Sequence, residues 1–227
     1  MEKTLLRGAA CLCGRRARYR VIHRFRDKGA AVYGICGAVV FAASLIRFVF
    51  RLKPAYLADT CLLAFIFAAF ELGVALSWYS RFAYYDLVAH GVSGCVFAAV
   101  GLCGFYLLRE DKRAPMKKDR LLAVSFSFLF SMTAAGLWEI VEYVIYLFFG
   151  NDSQYAVAPY AGFNGVADTM EDMMICLLGT AVMCALMWIH LGGRRIVLVR
   201  PVDQFVEANW GESTPPSPGD DGGHTED

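Results

Sequence analysis

Glu139 and Glu142 stand one helical turn apart in the stretch GLWEIVEYVIYLFF, residues 136–149. The apolar run around them begins at Leu121 and is long enough to cross a bilayer. A charge at the centre of a span costs about 2.5–3.5 kcal/mol on insertion scales. Two neighbouring carboxylates also repel unless a proton or a cation lies between them. The apolar blocks 86–108, 121–149 and 168–191 contain no Lys or Arg to neutralise them. The glutamates therefore point to a polar pocket in which they share a proton, a basic partner or a metal ion. Asp86 and His90 are spaced i, i+4, as are Asp168 and Asp172, so each pair projects from one side of its helix. Glu71 and Glu171 are candidates for an outer ring around these residues.

The elements that must position these groups are apolar blocks of about 20 residues, each the length of a hydrocarbon core. The chain has 227 residues, 57% of them hydrophobic, with mean hydropathy +0.45. The expected fold class is all-α, a polytopic membrane helix bundle with about five transmembrane helices, because backbone groups in lipid must be satisfied within their own segment. The blocks are Ala30–Phe50, Tyr56–Trp78, Asp86–Leu108, Leu121–Phe149 and about Asp168–Leu191. Residues 1–29 form a basic tail with nine Lys or Arg, and 30–191 the transmembrane domain. Residues 192–227 form a C-terminal tail, expected to be disordered and acidic from 201, where seven acids occur without Lys or Arg. Gly34, Gly37, Gly91, Gly94, Gly101 and Gly104 are expected to let helices approach closely. No cleavable signal peptide is expected, since Leu5–Cys13 is short and broken by Arg7.

Net charge of +1 says nothing about nucleic acid, since the charges are segregated, and with no basic groove interleaved with aromatics no nucleic-acid partner is expected. Six of the eight cysteines (Cys36, Cys61, Cys95, Cys103, Cys176 and Cys184) lie in apolar blocks and act as small hydrophobes. Cys11 and Cys13 lack the second pair that a metal site needs. Charge does not fix the orientation. The loop 109–120 has six basic residues and Arg194, Arg195 and Arg200 follow the last block, two spans on, so both can be cytoplasmic. The N-terminal tail is three spans from that loop, which conflicts with the positive-inside rule unless Ala30–Phe50, containing Arg47, does not simply cross.

Because blocks alternate in direction, the end of the second, the start of the third, the end of the fourth and the start of the fifth share one membrane face. Glu71, Asp86, His90, Glu139, Glu142, Asp168, Glu171 and Asp172 all fall there, and Asp59 is the exception. Structural roles compete with chemistry at several of them. Asp168-Thr-Met-Glu171 has the pattern of a capping box. Asp86 suits a helix cap, His90 a hydrogen bond within a bundle, and Glu71 an ion pair with Arg81. Only Glu139 and Glu142, well inside their block, resist a purely structural account. Trp78, Trp138 and Trp188 suit interface or packing positions.

The order of the motifs ELG at 71–73, YYDLVAHGVSG at 84–94, GLWEIVEY at 136–143 and GVADTMEDMMICLLGT at 165–180 resembles the YjdF-like bacterial inner-membrane family, over roughly residues 56–190. The D-x-x-x-H element at 86–90 is also similar to that of VanZ-like membrane proteins. The resemblance implies a multi-pass protein of the bacterial plasma membrane with these acids and His90 as its signature. It implies no activity.

Three functions fit. The first is a divalent-metal-dependent enzyme acting on a lipid or lipid-linked phosphate, with Asp86, His90, Glu139, Glu142, Asp168 and Asp172 as candidate ligands and Glu139 or Glu142 as candidate catalytic groups. One histidine among carboxylates favours Mg²⁺ or Mn²⁺. Glu-x-x-Glu at 139–142 departs from the Glu-x-x-His of di-iron bundles. The loop 150–167, with Asn151, Gln154, Tyr155 and Tyr160, would cover the site. The second is a small proton- or cation-coupled transporter, since intramembrane carboxylates make ion relays. It is disfavoured by acids near one face rather than at mid-depth. The third is a non-catalytic assembly or stress-response partner. Membrane lipid is the expected partner in each case, with a homo-oligomer left open.

Overall fold

The computed structural model describes residues 34, 37–82, 84–110, 112, 119–150, 153–154 and 164–211. Those residues are helical or connect helices, and no strand occurs among them. The elements are α1 (Gly37–Phe50), α2 (Tyr56–Ile66, continued as a π-helix over Phe67–Ala75), α3 (Trp78–Arg81), α4 (Tyr85–Leu108), α5 (Arg120–Phe149), α6 (Gly165–Leu191), a 3₁₀ turn (Val197–Val199) and α7 (Arg200–Trp210). Four helical stretches are long and apolar enough to cross a membrane: Tyr56–Ala75, Tyr85–Leu108, Arg120–Phe148 and Gly165–Leu191. The chain is thus a multi-pass membrane helix bundle. The described part of the first expected block, α1, is a shorter apolar helix. The rest of that block, the tail 1–29 and most of the loop 150–167 lie outside the described residues.

The bundle centres on α4, which packs along both α5 and α6, while α5 and α6 also pack on each other. Small residues allow this. A methyl group at Gly94 would lie 2.3 Å from the Cys176 carbonyl oxygen, and one at Gly179 would lie 2.0 Å from that of Gly91. The buried Ser131 hydroxyl donates to the Gly94 carbonyl (3.1 Å) and shares a 2.8 Å hydrogen bond with Thr180, so hydroxyls tie the three helices together. Gly101 similarly seats against Ser127 of α5. Gly34 and Gly37, also expected at close contacts, have open space where a side chain would point.

Residues 201–210 correct the expectation of a disordered tail. Pro201 opens α7, where its missing N–H costs nothing, and Val202, Phe205 and Val206 recur at helical spacing and are buried. The polar face of α7 also works. Gln204 and Asn209 accept the backbone N–H groups of Leu57 (2.5 Å) and Lys53 (2.7 Å), supplying acceptors at the start of α2. His190, in the last turn of α6, accepts the Ile196 N–H on Nδ1 (3.0 Å), which leaves Nε2 to donate to Asp203 (2.9 Å). At this end the core is apolar: Leu102, Phe105, Ala123, Met183, Met187, Val199 and Val206.

Asp59, the acid away from the expected face, pairs with Arg47 of α1 and accepts the Ala55 N–H (3.2 Å). That pair explains both charges inside apolar blocks. It also fastens α1 to the start of α2.

Candidate functional site

At the opposite end of the bundle, α2 runs into its π-helical stretch, whose wider turn is closed by the Leu76 N–H donating to the Glu71 carbonyl (2.9 Å). Ser77 then takes left-handed backbone, φ 61°, and turns the chain into α3. The Tyr85 hydroxyl donates to the Ala68 carbonyl (2.8 Å) and pins the start of α4 to α2. The end of α5 is closed by Gly150, φ 62°, whose N–H bonds the Tyr146 carbonyl (2.9 Å). On α6, Asn164 is the cap: its side-chain oxygen accepts the N–H groups of Val166 (3.0 Å) and Ala167 (3.1 Å). The helix begins three residues before the expected boundary. Asp168 is therefore not the capping residue, and the capping-box account of Asp168 and Glu171 falls away.

Freed from capping, Asp168 and Asp172 are both buried, at 5% and 4% exposure. Asp172 faces His90 of α4, with its Oδ2 3.6 Å from Nε2. Asp86 approaches the same nitrogen from the preceding turn, with Oδ1 at 3.5 Å. Asp86 lies in the first turn of α4, whose N-cap position is Tyr84. One ligand atom from each of Asp86, His90 and Asp172 can be chosen so that all lie within 4.8 Å of one another. These separations are long for direct hydrogen bonds. They suit donors around one small cation, since ligand atoms at 2.1 Å from an ion lie about 3.0 Å apart when adjacent and about 4.2 Å apart when opposed.

The α5 glutamates complete the layer in different ways. Glu139 is buried, 7% exposed, and Gln154 Nε2 donates both to its carboxylate (2.8 Å) and to its backbone carbonyl (3.2 Å). Glu142 is half-buried and interacts with Trp138, Glu139, Asp86 and Asp168. Asp172 interacts electrostatically with Asp86, Asp168, Glu139 and Glu142, and Glu171 with Asp86. Asp86, His90, Glu139, Glu142, Asp168, Glu171 and Asp172 thus come together from three helices. Glu71 does not join them in the same way. It is half-buried in the π-helix and, among the described residues, no hydrogen bond or ion pair links its side chain to the layer or to Arg81.

Two participants were not singled out by residue type and spacing. Gln154 was one of several polar loop residues, and its bond to Glu139 joins groups 15 residues apart in sequence. Tyr79 lies in the short helix α3 between α2 and α4. Its side chain interacts with Asp86, Glu142 and Asp172, and burial, followed by the charge of Asp86, pushes its phenol above the usual value, so the hydroxyl keeps its proton. The only sequence signal for Tyr79 was its closeness to the Tyr84–Tyr85–Asp86 run.

No curated protein matches the chain at a significant level, and no solved structure does. A family profile does match, over residues 10–193, and so takes in all four spans and every member of the layer: the chain belongs to the family described as predicted membrane protein (DUF2238).

Proposed function

We propose that Asp86, His90 and Asp172 hold one divalent cation, Mg²⁺ or Mn²⁺, and that the protein is an enzyme acting on the phosphate of a lipid or lipid-linked substrate. The observation that carries this reading is the grouping of two carboxylates and one imidazole from α4 and α6 within 4.8 Å. Oxygen-rich donors with a single histidine suit these metals. When bound, the cation would supply Lewis acidity toward a phosphoryl oxygen or a water. Glu142, close to that group but outside it, would take the proton from an attacking water or hydroxyl. Glu139, engaged by Gln154, would hold the loop after α5 against the layer. Asp168 and Glu171 would add negative charge around the ion.

Depth supports an enzyme over a carrier. The layer's α4 and α6 members lie in the first two turns of those helices, nearer one end of the spans than their middle. Beyond it the buried polar side chains continue only to Ser131, Thr180 and Ser127, and then Leu102, Phe105, Met183 and Met187 fill the core. An ion crossing the bundle would meet that apolar packing. The YjdF-like and VanZ-like resemblances, and a location in the bacterial plasma membrane, belong to this same reading.

The test is metal content. Protein purified in detergent should carry about one Mg²⁺ or Mn²⁺ by elemental analysis. Asp172→Asn and His90→Ala should each release it while far-UV circular dichroism stays helical, and Glu142→Gln should retain it. Wild-type protein that binds neither metal would remove the enzyme reading. Cation flux in liposomes would favour a transporter, and metal-free, flux-free protein a non-catalytic partner.

A further inference from the structure

The metal layer accounts for the acids but not for the way the α2–α4 connection is built. Tyr79 occupies a made-to-measure seat there. A methyl group at Gly73 would lie 2.2 Å from Tyr79 Cε2 and 2.8 Å from Cζ, so the phenol ring lies directly on the π-helical backbone. On another side the ring meets Tyr85 edge-on, with centroids 5.2 Å apart. Tyr85 is itself held by its bond to the Ala68 carbonyl and by Trp78 at 5.4 Å. The ring is therefore confined between Gly73 and Tyr85. Asp86, Glu142 and Asp172 of the layer lie within electrostatic range of Tyr79. Among the described residues, the Tyr79 hydroxyl has no hydrogen-bond partner.

A confined, neutral O–H among carboxylates is the wrong group for a cation and the right group for an anionic oxygen brought in beside one. We propose that Tyr79 is a substrate-contacting residue that donates its hydroxyl hydrogen to a phosphoryl oxygen of a substrate held at Asp86, His90 and Asp172. This rests on the metal reading above, because only a bound cation would let a phosphoryl group approach so many acids. It adds to that reading a specific donor and a reason for the π-helix. The wider turn and Gly73 create the space that holds the ring in place.

The experiment separates metal binding from phosphate binding. Mn²⁺ is titrated by electron paramagnetic resonance into wild type, Tyr79→Phe and Gly73→Ala in detergent, and inorganic phosphate is then followed by ³¹P relaxation from the bound Mn²⁺. A second arm uses phosphatidylcholine nanodiscs with and without phosphatidic acid, which distinguishes a lipid phosphate monoester from the free ion. Tyr79→Phe should bind Mn²⁺ as wild type does but weaken phosphoryl binding about tenfold in at least one arm, the scale of a lost hydrogen bond to a charged group. Gly73→Ala, which keeps the hydroxyl but displaces the ring, should show the same split. Normal phosphoryl binding by a Mn²⁺-loaded Tyr79→Phe protein in both arms overturns the proposal while leaving the metal site standing. Absence of Mn²⁺ binding in the wild type overturns both.

Discussion

Gln154 and Glu139 are joined twice through one amide nitrogen, which reaches the carboxylate at 2.8 Å and the backbone carbonyl at 3.2 Å, with both side chains buried. This clasp satisfies a carboxylate inside an apolar helix without a basic residue. Replacing Gln154 by Leu would leave Glu139 buried and without those donors. The expected loss is about 1–3 kcal/mol, the cost of an unsatisfied buried acceptor, read as a lower thermal midpoint in detergent. Mn²⁺ affinity should be unchanged, because Glu139 lies outside the Asp86–His90–Asp172 group. A loss of affinity in this variant would make Glu139 a ligand.

The α4–α6 contact gives a second expectation. An alanine at Gly179 or Gly94 forces its methyl onto a backbone carbonyl oxygen, at 2.0 Å and 2.3 Å respectively, and backbone cannot swing aside as a side chain can. Each substitution should destabilise the bundle by about 1–3 kcal/mol. Gly104→Ala, whose methyl would meet only Phe126 at 3.6 Å, should be neutral to within about 0.5 kcal/mol. Unfolding of the three variants in mixed detergent micelles checks the order. Equal stability for all three would mean that the helices can separate at no cost.

Hydrophobic block length was enough to read α2, α4, α5 and α6 from the sequence, and alternation of their directions was enough to put the acids at one end. What failed was local. The boundary at Asp168 was misplaced because Asp-x-x-Glu imitates a cap, whereas Asn164, four residues upstream of Asp168, does the capping. Helix α7 was hidden because Pro201 and the acids that follow dominate a composition argument, while Val202, Phe205 and Val206 carry the helical period. The seat of Tyr79 depends on a π-helix and a left-handed Ser77, and neither leaves a hydrophobic pattern. Long-range pairs such as Gln154–Glu139 and His190–Asp203 depend on folding and have no local signal.

Helix α7 should act as a removable clamp. Phe205→Ala deletes its largest buried aromatic and Asp203→Ala leaves the His190 donor without its acceptor. Hydrogen exchange of residues 200–210 should accelerate in both, most in Phe205→Ala, whose packing loss is about 3–5 kcal/mol by analogy with buried phenylalanines elsewhere. Exchange around His90 and Asp172 should stay slow, because the acid layer is at the other end of α6. Fast exchange at both ends would show that α7 docking and the layer form one cooperative unit.

The arginine of α1 bears on which way the protein sits. Arg47 is paired with Asp59 near the start of α2, so the end of α1 and the start of α2 lie at the same membrane face as the basic loop 109–120 and Arg194, Arg195 and Arg200. The described helix Gly37–Phe50 is shorter than the four spans. If it enters and leaves by that face, the basic tail joins the other positive segments on one side and the conflict with the positive-inside rule disappears. The expectation is that native Cys11 and Cys13, and a cysteine at Met116 in a background with the remaining cysteines replaced, react with a membrane-impermeant maleimide only after the cytoplasmic side is exposed. A cysteine at Ser153 should react from the other side, where the acid layer lies. Labelling of Cys11 and Cys13 together with Ser153→Cys would instead mean that residues 30–50 cross the membrane in full and that Arg47 reaches Asp59 from the end of a fifth span.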